Sequence, residues 1–165
     1  MDPIEWLETN FPEFANLPKV DRQAITHFVF LWSFFEGTTL GTSASAKSIF
    51  ALVNKLNTEG HLDFNAFEID LEYFRQRYFV DGEPTPYLDG LYLRKNDKPQ
   101  LVRSVLRGEN NNIVDCISAL IIITYRLRNN LFHGVKWAYG IQGQLDNFTH
   151  ANDVIMKTLS LANTN

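Results

Sequence analysis

Apolar and aromatic side chains recur at steps of three and four residues over most of this chain. The clearest case is a stripe formed by Phe64, Phe67, Leu71, Phe74 and Tyr78. Residues three and four apart share one face of an α-helix, whereas a half-buried strand alternates every second residue. The period therefore predicts a helix that buries this stripe, and almost no segment shows the alternation of a strand.

Residues that start or stop helices place the other elements. Asp2 supplies a cap and Pro3 a favourable first position for a short helix at the start. Gly37 is predicted to stop a helix that covers 18–36. The remaining helices are predicted over 43–56, 64–78, 99–106, 113–133 and 145–162.

Between residues 80 and 98 the helical period is lost, and Gly and Pro recur. This composition predicts a long irregular loop near 80–98, with a short hairpin about YLDGLYL. The fold class that follows is all-α, a single-domain bundle over 1–165 with about five to seven helices.

Composition limits the class of protein. The chain has 165 residues and is 45% hydrophobic, which is enough to bury one sizeable core. Its apolar runs are far shorter than the roughly 18 residues that cross a bilayer, which predicts a soluble protein without membrane contact. Cys116 has no partner for a disulfide, and the acidic start does not resemble a secretory leader. These features favour the reducing cytoplasm.

Charge is distributed unevenly along the chain. Residues 1–90 contain 6 Lys and Arg against 14 Asp and Glu, a net charge of −8, whereas residues 91–165 contain 9 against 5, a net charge of +4. The overall net charge of −4 argues against indiscriminate binding to nucleic acid. The basic half is either an ordinary solvated surface or a local face that attracts anions.

Two patterns that could indicate other sites are explained more simply. GTSASAKS, at 41–48, resembles a phosphate-binding P-loop, but Ala46 replaces the glycine before Lys47 and a helix precedes the segment. No metal site is predicted, since Cys116 stands alone and no pair among His27, His61 and His150 has a metal-binding spacing.

A cluster of carboxylates lies on the helix predicted over 64–78. Glu68, Asp70 and Glu72 alternate with the aromatic stripe in sequence. Because they lie away from that stripe, we expect them to form its solvated face.

The most apolar segment, SALIIITY, leads directly into RLRNNLFHG at 126–134. Burying such polar groups unpaired costs on the order of a few kcal/mol each, so they face water, a partner or a ligand. Asn129 and His133 are four apart and share a helix face, and Arg128 is long enough to reach the same patch, especially if the helix ends at Gly134. A guanidinium, amides and an imidazole together suit a phosphodiester.

With a polar residue after Arg128 and a glycine after His133, the segment RNNLFHG resembles the Arg-x4-His signature of the HEPN superfamily. These are small all-helical domains, many of which are ribonucleases. The resemblance implies one HEPN-like domain over 1–165. The upstream segment LWSFFEG also resembles the family's earlier core helix, in which a polar or acidic residue often approaches the motif. By that analogy Glu36, with Asn130, supports the site; alternatively Glu36 is a solvated residue of a last helical turn.

The resemblance further implies an endoribonuclease that needs no metal or other cofactor. The RNA 2′-OH would attack the neighbouring phosphate and leave a 2′,3′-cyclic phosphate and a 5′-OH. His133 would be the general base or acid, Arg128 would stabilise the transition state, and Asn129 would orient the phosphate. Contacts with the RNA substrate are expected from the basic residues Arg103, Arg107, Arg126 and Lys136.

The implied partners are the RNA and a second copy of the chain. In-line cleavage needs a proton acceptor and a proton donor, and a two-fold homodimer with a composite active site would supply two copies of the motif. Stand-alone members of the family are commonly toxins with an antitoxin or regulatory partner, or effectors of phage defence.

Two alternatives remain open. The chain could be a non-catalytic HEPN-like dimeric module that binds a nucleotide or a protein partner through the same cleft. The motif could also be structural: Arg128 and Asn129 would solvate the helix end, His133 would interact with the helix dipole, and Gly134 would be the left-handed stop.

Overall fold

The computed structural model describes residues 1–134 and 140–163, and the regular structure in these ranges is almost entirely helical. The all-α prediction is therefore confirmed. The nine α-helices of the two ranges are α1 (Pro3–Asn10), α2 (Pro12–Ala15), α3 (Lys19–Thr39), α4 (Ala46–Thr58), α5 (Phe64–Tyr78), α6 (Pro86–Asp89), α7 (Pro99–Leu106), α8 (Ile113–Phe132) and α9 (Leu145–Ala162).

Helix α8 is at the centre of the fold. Fourteen of its 20 residues are buried, and it packs against α4, α5, α7 and α9. A helix that is apolar nearly all round is stable only where other helices surround it. Helix α3 packs mainly against α9, and the buried apolar side chains form one continuous cluster. No helix in the described ranges is long and apolar enough to span a bilayer.

Two local predictions are wrong in position. Helix α3 continues through Gly37, and the chain turns away only at Gly41, which has a left-handed φ of +61°. The short hairpin pairs Phe79–Val80 with Glu83–Pro84, so it lies earlier than YLDGLYL. Its turn is Asp81-Gly82, both at positive φ, as two-residue hairpin turns require.

The carboxylates of α5 divide into two groups. Glu68 and Glu72 are exposed, but Asp70 is fully buried. The prediction of a solvated face is therefore wrong for Asp70. It is buried because α9 packs on α5 and supplies His150 and Lys157 as partners for its carboxylate.

Candidate active site at the end of helix α8

The RNNLFHG motif occupies the last turn of α8 and the residues that end it. Asn129 accepts the His133 backbone N–H at 2.9 Å through its carbonyl oxygen, so helical geometry reaches His133. Gly134 then has a φ of +72°, and its N–H donates to the Leu131 carbonyl at 3.2 Å. A left-handed glycine is a common helix stop. The ring of His133 is thereby left exposed at the tip of a buried helix.

Arg128 lies partly at the surface and has two side-chain acceptors. Its Nη1 donates to Asn129 Oδ1 at 2.9 Å, and its Nη2 lies 3.4 Å from Glu36 Oε2. The guanidinium also lies over the ring of Phe132, 5.3 Å from its centroid. Nε of Arg128 is buried without a hydrogen-bond partner among the described residues. The guanidinium is thus oriented, but not all of its donors are used.

Glu36 joins α8 to α3 and to the start of α4. Besides Arg128, its carboxylate accepts Trp32 Nε1–H at 2.9 Å and the Ala44 backbone N–H at 2.9 Å. Its side chain is only 17% exposed, so the interpretation of a solvated last-turn residue does not apply. A carboxylate with two hydrogen bonds and a cation keeps a fixed position. Sequence reasoning did not identify Trp32 as a partner of Glu36, although its spacing of four from Glu36 was an available signal.

Asn129 and Asn130 do different things although they are neighbours. Asn129 is buried and contacts Arg128. Asn130, one step further round the helix, donates through Nδ2 to the carbonyl oxygens of Gly90 at 3.0 Å and Leu91 at 3.4 Å. Asn130 therefore supports the site indirectly, because it holds the loop before α7 against α8.

The structure buries Arg126, one of the basic residues expected to contact RNA. Its side chain is 3% exposed; Nε donates to the Leu91 carbonyl at 3.1 Å and lies 3.7 Å from Asp97 Oδ2. Burial lowers the pKa of Arg126, and the Asp97 carboxylate offsets part of this effect. A guanidinium held this way does not lie on the exposed surface beside the motif, and it lines a cavity between α4, the loop before α7, and α8 instead.

The remaining basic residues are not gathered at the motif. Arg107 is exposed, lies 3.7 Å from Glu109 and stacks over Phe79, in the connection that leads into the first residues of α8. The motif is at the other end of α8, and a 20-residue helix is about 30 Å long. Arg107 is thus misplaced for a contact near His133. Arg103 is one helical turn earlier and partly buried, and Lys136 lies outside the described residues.

Within the described ranges, no group of three or more His, Cys, Asp and Glu side chains could hold a metal ion. Comparison of the chain with protein-family models, curated proteins and solved structures gave no significant match. The resemblance to HEPN domains therefore rests on the motif and on the helical fold around it.

Proposed function

We propose that this chain is a HEPN-type, metal-independent endoribonuclease whose active site contains Arg128, Asn129 and His133. The observation that carries the proposal is the pair of Arg128 and Glu36 near the end of α8, with the exposed His133 five residues after Arg128. It combines an oriented cation with a titratable group at the surface end of the central helix. Cytoplasmic action as a toxin or phage-defence effector is part of the proposal by analogy alone.

The reaction is an in-line displacement at one phosphate of the RNA backbone. The His133 imidazole accepts the proton of the 2′-OH, since an imidazole exchanges protons near neutral pH. The 2′-oxygen bonds to phosphorus, and the bond from phosphorus to the 5′-oxygen breaks. The products are a 2′,3′-cyclic phosphate and a 5′-OH. Arg128 stabilises the charge on the phosphate oxygens in the transition state.

A second proton carrier is needed at the leaving 5′-oxygen. We propose that it is His133 of a second copy of the chain, related by a two-fold axis. The exposed ring of Phe132, 58% accessible beside the motif, offers apolar contact area for such a dimer. Two other exposed rings, Phe30 and Phe34, lie on the face of α3 opposite Trp32.

One observation favours a second candidate, the non-catalytic binding module. Arg128 is held by Asn129 and Glu36, as a residue that only secures the helix end would be. In that case the cleft binds a nucleotide or a partner without turnover. Cleavage assays separate the two candidates.

The test of the enzyme is incubation of the purified protein with several unstructured RNAs in EDTA, followed by end-group analysis. We expect 2′,3′-cyclic phosphate and 5′-OH ends, and no cleavage of DNA or of 2′-O-methyl RNA. Arg128→Ala and His133→Ala should each lower kcat by about 100-fold or more while the thermal unfolding midpoint changes little. His27→Ala, another exposed histidine, is the matched control and should keep full activity.

Full activity in both motif variants would remove the catalytic assignment. RNA binding without cleavage by any preparation would favour the binding module.

The composite site has its own test. Wild-type chains are mixed with a fourfold excess of His133→Ala chains, allowed to exchange subunits, and assayed at saturating RNA. If each site needs two copies of His133, activity per wild-type chain should fall to about one fifth, because most wild-type chains then have an inactive partner. Unchanged activity per wild-type chain would show that one copy of the motif suffices.

A further inference from the structure

A basic cavity of about 570 Å³ lies between the first turn of α4, the loop before α7, and α8. Its lining includes four basic side chains and a single carboxylate, that of Asp97; the basic ones are Lys47, Arg94, Lys98 and Arg126. A concave surface with an excess of one charge concentrates ligands of the opposite charge.

The positive charge of this cavity is not neutralised by the protein around it. Asp97 is 5% exposed, and its Oδ2 accepts the Arg94 backbone N–H at 2.8 Å and lies 3.7 Å from Arg126 Nε. That carboxylate is therefore committed to Arg126. Across residues 1–134 and 140–163, no carboxylate forms an ion pair with Lys47, Arg94 or Lys98, and all three are exposed.

Arg126 presents unused donors to the cavity. In the described part of the chain, the hydrogen bond from Nε to Leu91 is the only one that its guanidinium makes. Its two terminal nitrogens thus have no protein acceptor, although the side chain is almost completely buried. These two nitrogens are not among the fully buried unpartnered polar atoms of the described residues, so they remain accessible from the cavity, where a bound anion would accept their hydrogen bonds.

Lys98 is held in place by local structure. Its backbone has a left-handed φ of +52°, which costs free energy for a residue with a side chain. Its Nζ lies 3.7 Å from the centroid of the Phe50 ring, which positions the ammonium at the cavity.

The cavity is adjacent to the Arg128 and His133 site. Tyr125 lines it and stacks on Trp32 at 5.9 Å between ring centroids, and Trp32 donates to Glu36. Ser45, another lining residue, follows Ala44, whose N–H donates to Glu36. Tyr125 and Arg128 are three apart on α8, so they are neighbours on its surface. Glu36 thus has the motif on one side and the cavity wall on the other.

We propose that this cavity is a second phosphate subsite that binds a backbone phosphate of the RNA close to the scissile one. The inference rests on the proposed function, because it assigns the cavity to the same substrate. Arg128 and His133 act on the scissile phosphate, whereas Lys47, Arg94, Lys98 and Arg126 anchor the strand and set its position.

The test measures binding of an uncleavable 2′-O-methyl RNA 12-mer by fluorescence anisotropy at several KCl concentrations. Lys47→Gln combined with Arg94→Gln removes two exposed cations of the cavity. We expect Kd to rise roughly tenfold or more, and the slope of log Kd against log salt to fall by about one to two. Thermal unfolding checks that the variants are folded. If the first pair is poorly folded, Lys98→Gln combined with Arg94→Gln is a second pair.

The matched control is Lys19→Gln combined with Lys55→Gln, which removes two exposed cations outside the cavity. Its Kd should change less than about threefold. Equal effects of the cavity pair and the control pair would overturn the subsite. Tighter binding of pyrophosphate than of the 12-mer in the same assay would also overturn the RNA subsite, since the cavity would then be a site for free phosphate compounds.

Cleavage of unmodified RNA separates this inference from the proposed function. In the cavity pair KM should rise while kcat stays within about twofold of wild type. If RNA binding weakens in the cavity pair but no preparation cleaves RNA, the subsite stands and the proposed enzymatic function is wrong. If RNA cleavage occurs and neither cleavage nor binding changes in the cavity pair, the proposed function stands and the subsite is wrong. If the protein binds no RNA, both proposals are wrong.

Discussion

At the scale of single residues, Asp70 carries the most concentrated electrostatic interactions of the core. Its side chain is fully buried, and its two oxygens accept from Lys157 Nζ at 2.6 Å and His150 Nδ1 at 2.8 Å. The ring of Tyr73 stacks on His150, with 4.0 Å between centroids. This cluster ties α5 to α9. A carboxylate that loses water on burial requires such partners.

Asp70→Asn should lower the free energy of unfolding by about 3 kcal/mol, since it leaves the charge of Lys157 next to a neutral amide. This loss of stability is at the lower end of the range for breaking a buried ion pair, because Lys157 and His150 are partly exposed and can be rehydrated. Urea unfolding at neutral pH measures it. The control is Glu68→Gln on the exposed face of α5, which should stay within about 0.5 kcal/mol of wild type. Equal stability of the two variants would contradict the role given to Asp70.

Sequence reasoning explains part of the residue-scale result. Asp70 is three residues after Phe67 and four before Phe74, so it lies at the edge of the apolar stripe, where burial depends on the neighbouring helix. Its partners are 80 and 87 residues away in sequence. No local pattern reports a pairing at that distance, although the spacing from Phe67 and Phe74 already placed Asp70 next to the apolar stripe and not opposite it.

At the scale of elements, two glycines of α3 and α8 have opposite roles. Gly37 lies inside α3, is exposed, and has no atom within 4 Å of the position that a Cβ would occupy. Gly134 ends α8 with a φ of +72°. Glycine weakens the interior of a helix but is favoured at a left-handed stop. The two positions therefore predict stability changes of opposite sign.

Gly37→Ala should raise the free energy of unfolding by about 0.5 to 1 kcal/mol, because alanine loses less backbone entropy in a helix. Gly134→Ala should lower it by about 1 kcal/mol, because an L side chain is strained at positive φ. Gly134→Ala should also reduce RNA cleavage, since a shifted helix end moves His133. Thermal unfolding of both variants checks the signs; stabilisation by Gly134→Ala would show that the glycine is not needed for the stop.

Helices with strong local signals are those whose bounds were predictable. The predicted ranges 64–78, 99–106 and 145–162 agree with α5, α7 and α9. Helix α8 begins at Ile113, as the predicted range 113–133 does, and its N-cap is Asn112. Local side-chain period and capping determine such elements. The hairpin was displaced because an Asp-Gly pair occurs twice, at Asp81 and at Asp89, and local turn chemistry does not choose between them.

At the scale of the whole molecule, burial also sets how stability responds to pH. Burial raises the pKa of Tyr78, of Tyr73 and of the Cys116 thiol. The folded chain therefore holds these protons more tightly than the unfolded chain does. This contribution is complete below the unfolded pKa values, about 8.5 for Cys and about 10 for Tyr, and is lost as pH rises beyond them.

The free energy of unfolding should therefore decline between about pH 8.5 and about pH 11. Tyr78→Phe keeps the buried ring but removes the phenol that ionises on unfolding, so the decline above about pH 10 should be shallower in this variant. Urea unfolding across this range measures the slopes. Tyr92→Phe, at an exposed ring, is the control. Identical slopes for Tyr78→Phe and wild type would contradict the effect of burial.

What the sequence alone determined is the part of the protein that depends on neighbours along the chain. The helical period established the all-α class, and the resemblance of RNNLFHG to a family signature pointed to the candidate motif at the end of α8. Glu36 was reached by resemblance to a family.

Only the tertiary structure placed Glu36 against Arg128, buried Arg126, and gathered Lys47, Arg94 and Lys98 around one cavity. The contact between Arg126 and Asp97 spans 29 positions of the chain, and the contact between Arg128 and Glu36 spans 92. Local propensity acts over a few residues, whereas burial and charge pairing depend on which helices pack together, and that packing is a property of the whole fold.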